Sequence, residues 1–504
     1  MGLLGALRSY YKKGAAVGVV ITASHNPQDD NGLKLIDPLG EMLDMGWEQL
    51  ATRLANVESE EVTAVLTSII QSEAIPVETA ATATVLIGYD TRPSSKQFAA
   101  ELRAGAEALK ATVVDYGLLT TPQLHFLVWQ YNLRPEPPQE DLYYTTLVGA
   151  FLELRNLSGG EPRKRYSPCL KLDGANGVGA LKAARLQASL GSALSLTILN
   201  DGSTGVLNHM CGSDHVKVNQ ALPTVPSCAG DFKPLERAAS FDGDADRIVY
   251  YYLDGSGEFR LLDGDKLAAL YILHLQSLLQ SCGLDFTFTC VQTAYANGSS
   301  TNYIQDTLKV PVACVKTGVK HLYNKAKEAE LSVFFEANGH GTVYYSEEAL
   351  KKITAVKEDK AASVEQQRAG DQLLAISRLI NPTVGDAISD LLLTEAILYA
   401  RDWSVEDWDN IYQPVPYHLS KVLVAGQVPD RYAISVNDTQ TQCLAPAGLQ
   451  DAINQAVAQV PNGRCFVRPS GTEDLVRVYA EALTKEQAVA LATQVEGLVS
   501  TMAG

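Results

Sequence analysis

Leu170-Lys171-Leu172-Asp173-Gly174-Ala175-Asn176-Gly177-Val178-Gly179 reads as a short strand that runs into a Gly-rich turn and then a helix. The same order recurs upstream. Ala16-Val17-Gly18-Val19-Val20-Ile21-Thr22 is apolar and rich in β-branched residues, as a buried strand is. Thr84-Val85-Leu86-Ile87-Gly88-Tyr89 is another, followed by a turn and helix start at Asp90-Thr91-Arg92-Pro93-Ser94. An amphipathic helix is predicted over 96–110 and a strand over 112–115, with a further strand starting near Asp285-Phe286-Thr287-Phe288. Strands alternating with helices predict an α/β protein built on parallel sheets.

The chain has 504 residues, enough for three or four domains. A Pro-rich loop at 133–140, a linker-like stretch at 158–168 and a polar, Trp-containing stretch at 401–416 suggest four: 1–165, 166–283, 284–405 and 406–504. Hydrophobic residues make up 46% and charged residues 20%, an ordinary globular composition. A net charge of −17 argues against wrapping nucleic acid or an anionic membrane. No run of 18 apolar residues predicts a membrane span. The eight cysteines are scattered without a CxxC pair, as in a reduced, cytoplasmic protein. No nucleic-acid, membrane or obligate protein partner is expected.

Four segments could carry chemistry. Thr22-Ala23-Ser24-His25-Asn26-Pro27 follows a buried strand, where α/β proteins place ligands, and Ser24 is a candidate nucleophile or phosphate carrier. Read alone it is more readily a Ser/Asn/Pro turn. Asp242-Gly243-Asp244-Ala245-Asp246-Arg247 sets three carboxylates on one side of an extended chain. Their repulsion calls for a hard divalent cation held by oxygen, such as Mg²⁺. An EF-hand is excluded because Arg247 stands at its sixth position and Leu253 at its twelfth. Glu336-Ala337-Asn338-Gly339-His340 offers donors and acceptors suited to sugar hydroxyls and an amide, and His340 is a candidate proton carrier. Alone it is a glycine-punctuated turn. Arg468-Pro469-Ser470-Gly471-Thr472, with Arg477 beyond, offers backbone N–H groups and guanidinia to a phosphate. Its plain alternative is a surface turn.

Taken in chain order, the four segments resemble the four signature loops of the α-D-phosphohexomutase superfamily, and the resemblance runs from the first residues to about residue 480. Asn338, where relatives acting on phosphoglucose or phosphomannose usually carry Ser, resembles the branch acting on N-acetylglucosamine phosphates. The flanking Asp30-Asn31-Gly32-Leu33-Lys34 and the run from Val291 to Ser299 resemble it too.

The resemblance implies three mixed α/β sandwich domains and a smaller C-terminal α+β domain around a central cleft. It implies interconversion of N-acetylglucosamine 6-phosphate and N-acetylglucosamine 1-phosphate through a phosphoserine at Ser24 and a 1,6-bisphosphate, on the route to UDP-N-acetylglucosamine. One Mg²⁺ would be held by Asp242, Asp244, Asp246 and an oxygen at Ser24, and a sugar 1,6-bisphosphate would act as activator. Arg247 would assist phosphoryl transfer and His340 proton transfer. Glu336, Ala337 and Asn338 would read the sugar. Arg468, Pro469, Ser470, Gly471, Thr472 and Arg477 would hold the non-reacting phosphate. Lys320 is a further cleft cation or, equally, a solvated lysine. Superfamily members begin with another strand and a Gly-rich turn whose arginine lies near the phosphoserine, whereas this chain opens beyond it, at Met1-Gly2-Leu3-Leu4. That departure keeps open an inactive sugar-phosphate-binding relative, and the substrate keeps open another phosphohexose mutase.

Overall fold

The computed structural model describes residues 1–77, 82–159, 163–225, 232–423, 434–470 and 475–503. Four main sheets follow one another along the chain. The first contains β1 (Val17–Ile21), β2 (Leu33–Ile36), β3 (Thr84–Tyr89) and β4 (Thr112–Leu118) in the order β2-β1-β3-β4. The second contains β5 (Cys169–Asp173), β6 (Ser195–Leu199), β7 (Ala238–Phe241), β8 (Ile248–Leu253) and β9 (Phe259–Leu262) in the order β6-β5-β7-β8-β9. The third, β11-β10-β12-β13, is built from β10 (Phe288–Thr293), β11 (Val312–Val315), β12 (Leu331–Phe335) and β13 (Gly341–Tyr345). After β14 (Tyr417–Leu423) comes a two-stranded ribbon of β15 (Ser435–Val436) and β16 (Cys443–Ala445). Strands β17 (Arg464–Pro469) and β18 (Leu475–Glu481) then complete an antiparallel sheet of order β14-β18-β17.

The predicted strands form, but the sheets are not purely parallel. β1 runs parallel to β3, and β3 to β4, while β2 is antiparallel to β1. β5 is parallel to β6 and β7, and β8 turns back on β7. β10 is parallel to β11 and β12, and β13 turns back on β12. This departure matters for function. Each of the four candidate loops joins an antiparallel pair of neighbouring strands: β1 to β2, β7 to β8, β12 to β13 and β17 to β18. A loop held at both ends by one ladder has far less freedom than a crossover.

Helices cover the sheet faces. Gly2–Tyr11 packs on Ser95–Ala108 so closely that a Cβ at Gly2 would lie 1.9 Å from the Leu102 carbonyl oxygen. The helix Asp141–Leu157 packs against Val364–Leu379 and Ala387–Arg401, so one large core joins the first three sheets. The β10 strand begins at Phe288, later than expected from 285–290. The 401–416 stretch is not a plain linker either. It holds the helix Val405–Asp409, whose Trp408 is fully buried and donates its indole N–H to the Lys266 carbonyl. Among the described residues no helix is long and apolar enough to cross a membrane.

Candidate functional site

Ser24 lies just past the carboxyl end of β1, nearly buried, with φ +49°. A non-glycine residue in this left-handed region is held there by its surroundings at a cost of about 1 kcal/mol. Its N–H donates to Thr22 Oγ1 (3.0 Å), and its carbonyl accepts from Asn208 Nδ2 (2.8 Å) and Arg92 Nη2 (3.2 Å). Arg92 also donates to the Asn26 and Asp30 carbonyls and pairs with buried Asp90. One guanidinium thus holds the serine loop at three points. The Ser24 hydroxyl is left to donate across the molecule to Asp244 Oδ2 at 3.1 Å.

Asp242, Asp244 and Asp246 are buried, and a carboxylate oxygen of each lies within 4.8 Å of the others. Asp242 Oδ2, Asp244 Oδ1 and Asp246 Oδ1 have no hydrogen-bond partner among the described residues. Burial and the two neighbouring carboxylates push Asp242 well above the ordinary carboxylate range. Burial would raise Asp246 too, but His340, Lys34 and Arg247 outweigh it and hold it low. Three clustered, buried carboxylates with orphaned oxygens suit a divalent cation. The two loops fit because residue 243 is glycine: a Cβ there would stand 2.6 Å from the Ser24 carbonyl oxygen.

Lys34, on β2, had no part in the expected site. Its ammonium donates to Asp244 Oδ2 at 2.8 Å and Asp246 Oδ2 at 2.7 Å. Burial opposes its charge, but the two aspartates outweigh burial and raise its pKa above the ordinary lysine range. Thr121, also missed, donates from Oγ1 to Asp244 Oδ2 at 2.6 Å. In sequence, Lys34 is indistinguishable from any lysine on a strand face, and Thr121 reads only as a helix start. Arg247 reaches back to its own loop, Nε lying 3.9 Å from Asp242 Oδ2 and 3.7 Å from Asp246 Oδ1.

The sugar-type loop closes on the same cluster. His340 Nδ1 is 3.8 Å from Asp246 Oδ1, and its Nε2 is buried without a hydrogen-bond partner among the described residues. Burial lowers the His340 pKa, and Arg247 adds to this against the pull of Asp246. Gly339, at φ +90°, lies where a Cβ would meet the Ile248 carbonyl oxygen at 1.9 Å, which locks this loop onto the base of the aspartate loop. Glu336 accepts from the Gly318 N–H (2.9 Å) and, through its other oxygen, from Asn338 Nδ2 (3.4 Å). Asn338 Oδ1 accepts the His340 N–H at 3.0 Å, so the asparagine also shapes the turn. Ala337 is buried in the same turn. A cavity of about 620 Å³ opens here, lined by Lys34, Thr121, His125, Asp246, Lys320 and His340. Lys320 is not a solvated lysine. It pairs with Glu48 at 2.6 Å and donates to the Leu43 carbonyl, tying the third sheet's helix Val319–Ala326 to the first.

Arg468 and Pro469 end β17, Ser470 follows nearly buried, and Arg477 faces Arg468 in the ladder. Arg468 Nε is buried without a hydrogen-bond partner among the described residues. Gly471 and Thr472 lie outside the described residues. The structure therefore joins Ser24, the three aspartates, Arg247, His340 and the Glu336 loop by direct contact. Arg468 and Arg477 stand on a separate sheet, which meets the turn after β10 near Ala294–Gly298, while the β15–β16 ribbon beside it accepts the Thr317 N–H at Gln440 Oε1 (3.0 Å).

Comparison with known proteins gives the family. Family models match in four stretches: "Phosphoglucomutase/phosphomannomutase, alpha/beta/alpha domain I" over 5–61 and 55–135, "Phosphoacetylglucosamine mutase AMG1, domain II" over 136–249 and domain III over 263–403, and "Phosphoglucomutase/phosphomannomutase, C-terminal domain" over 432–498. The human phosphoacetylglucosamine mutase is 47% identical over 512 residues, covering 100% of this chain and 91% of its own length. The Candida albicans enzyme is 42% identical, covering 99% and 92%. Among solved structures, Aspergillus fumigatus N-acetylphosphoglucosamine mutase in complex with GlcNAc-6P and magnesium superposes with a TM-score of 0.91 at 41% identity, covering 100% of this chain and 91% of that one. Matched along its whole length by relatives at 42–47% identity, this chain belongs to the phosphoacetylglucosamine mutase family of the α-D-phosphohexomutases.

Proposed function

We propose that this chain interconverts N-acetylglucosamine 6-phosphate and N-acetylglucosamine 1-phosphate, with Ser24 as the phosphoryl carrier and a sugar 1,6-bisphosphate as both intermediate and activator. The observation that carries this reading is the 3.1 Å contact between the Ser24 hydroxyl and Asp244, inside a trio of buried aspartates, each with an oxygen that has no hydrogen-bond partner among the described residues.

Asp242, Asp244 and Asp246 fit a divalent cation, with Ser24 adjacent, and Mg²⁺ bound there would offset the negative charge of a phosphoryl group in transit. The remaining chemistry falls to the protein. The Oγ–P bond of phosphoserine 24 breaks as a free sugar hydroxyl forms its own bond to phosphorus and surrenders its proton to a base. His340 is placed for that role: it is buried, kept neutral by its surroundings, and has an unpartnered Nε2. Lys34 and Arg247 supply fixed positive charge beside the reacting group. The bisphosphate then turns over in the cleft, and its other phosphate returns to Ser24. Glu336 and Asn338 read the sugar, with Asn338 taking the N-acetyl side. Arg468, Ser470 and Arg477, together with Gly471 and Thr472, grip the phosphate that is not reacting, which fixes the distance to Ser24 for either orientation. The four-domain division at about residues 165, 283 and 405 belongs to the same reading.

The test is turnover itself. Protein primed with a catalytic amount of the bisphosphate should isomerise the N-acetylated sugar phosphate in preference to glucose phosphate. The reverse preference identifies another phosphohexose mutase. Tight binding without turnover identifies an inactive sugar-phosphate-binding relative.

A further inference from the structure

The hairpin of β17 and β18 carries three successive rungs on one face. Arg464 lies opposite Glu481, Phe466 opposite Tyr479, and Arg468 opposite Arg477. Alternate residues of a strand share a face, so the two phosphate arginines and the Arg464–Glu481 pair sit on the same side, four residues apart, about 13 Å. The opposite face, with Cys465, Val467, Val478 and Ala480, is buried in the small core under Leu449–Ala458 and Lys485–Ala503.

The far rung is bound to a different sheet. Arg464 grips Glu481 with two hydrogen bonds, Nε to Oε2 at 2.9 Å and Nη2 to Oε1 at 2.7 Å. The same guanidinium donates to the Ala294 carbonyl at 2.9 Å and the Ala296 carbonyl at 2.6 Å. In return Glu481 accepts the Gly298 N–H at 3.1 Å, and Tyr479 OH at 2.8 Å. The middle rung docks on the same turn, since the Tyr295 ring lies edge-on to Phe466 (5.2 Å) and Tyr479 (5.7 Å). The turn is itself anchored. Asn297 N–H donates to buried Asp265 at 2.7 Å, and the Asn297 side chain exchanges two hydrogen bonds with Val415, just before β14.

We infer that the Arg464–Glu481 pair is a positioning latch: it clamps the C-terminal hairpin to the 294–298 turn and so sets how far the distal-phosphate arginines stand from Ser24. The hairpin acts as a stiff lever. A tilt of about 10° at the latch displaces the arginine rung by about 2 Å over the 13 Å arm, and misplacements of about 1 Å already cost on the order of 100-fold in rate. The inference rests on Arg468 and Arg477 being phosphate ligands.

The test uses the full-length chain and two readouts: kcat/KM for N-acetylglucosamine 6-phosphate, and affinity for inorganic phosphate, which draws on the hairpin's own phosphate ligands and not on their distance from Ser24. Glu481→Gln and Arg464→Lys are expected to lower kcat/KM about 30-fold while leaving phosphate affinity within about twofold of the parent. A merely structural role would lower both together, and that result, or catalysis unchanged within threefold, overturns the latch. Should Glu481→Gln not fold, Asn297→Ala loosens the turn from outside the hairpin and should give the same split. Arg468→Ala separates the two levels of the argument. Phosphate affinity unaffected by Arg468→Ala removes the phosphate assignment and the latch with it. A loss there, with the latch variants behaving as parent, removes the latch alone.

Discussion

The hydroxyl of Ser24 donates to Oδ2 of Asp244 across 3.1 Å, although 220 positions separate the two residues in the chain. The same carboxylate accepts from Thr121 and from Lys34, so one buried acid gathers three donors from the first sheet's segments. That convergence sets the serine proposed as phosphoryl carrier against the acidic trio.

Replacing Ser24 with alanine removes the oxygen that would carry the phosphoryl group and leaves the rest of the cleft standing. Intact-mass measurement after incubation with the bisphosphate should show no phosphoryl adduct, and kcat should fall by about a thousandfold or more. Sugar-phosphate binding should persist. Full activity in this variant would take Ser24 out of the mechanism.

Lys34→Met leaves three buried aspartates without their ammonium. Removing one partner of a buried ion pair costs about 3–5 kcal/mol, and the partial exposure of Lys34 reduces this to roughly 1–2 kcal/mol. The thermal midpoint should drop in chelator and recover more on adding Mg²⁺ than it does in the parent. Equal Mg²⁺ responses in both proteins would show that the lysine and the cation do not share the trio.

Gly243→Ala places a Cβ 2.6 Å from the Ser24 carbonyl oxygen and 2.9 Å from Asn208 Nδ2. The serine loop must shift, so kcat should fall about 100-fold against a stability loss of only about 1–3 kcal/mol. Denaturant unfolding beside steady-state kinetics checks the ratio. Parent-like turnover would mean the two loops do not need their present spacing.

Asn338→Ser should lower kcat/KM for the N-acetylated sugar phosphate about tenfold relative to glucose phosphate. Serine can still accept the N–H two residues on, so the turn around His340 is expected to survive. An unchanged specificity ratio would move recognition of the acetamido group elsewhere.

Stability should carry the mark of Asp386, which caps the helix Ala387–Arg401 and accepts from Tyr143 OH. Burial outweighs those hydrogen bonds and lifts its pKa from 3.8 to about 6. Ionisation is thus disfavoured in the folded state. The cost is absent below pH 3.8, grows between pH 3.8 and 6, and is complete above, at about 3 kcal/mol. Asp386→Asn keeps an acceptor and cannot ionise, so urea unfolding should show the variant gaining on the parent as pH rises from 4 to 7. A pH-independent difference would refute the assignment.

Read as text, the chain already determines a good deal. Short apolar runs followed by turn residues mark β1, β3 and β5, β-branched in the first two and leucine-based in β5, because strand burial and turn geometry are local demands. Three aspartates in alternation announce a cation on their own, since charge repulsion along an extended chain needs no distant partner. The four loops, in order, sufficed for the family. Tertiary structure decided the rest. Lys34, Thr121, Arg92 and Asn208 are ordinary residues in their own segments and acquire roles only where strands far apart in sequence are brought edge to edge. The mixed sheets were equally hidden, because a strand's apolar pattern records which face is buried and not which way its neighbour runs. The distance from Ser24 to the arginine rung is set by a salt bridge and a backbone turn on two different sheets. No local pattern encodes such a distance, because it is a property of packing between parts of the chain that meet only once folded.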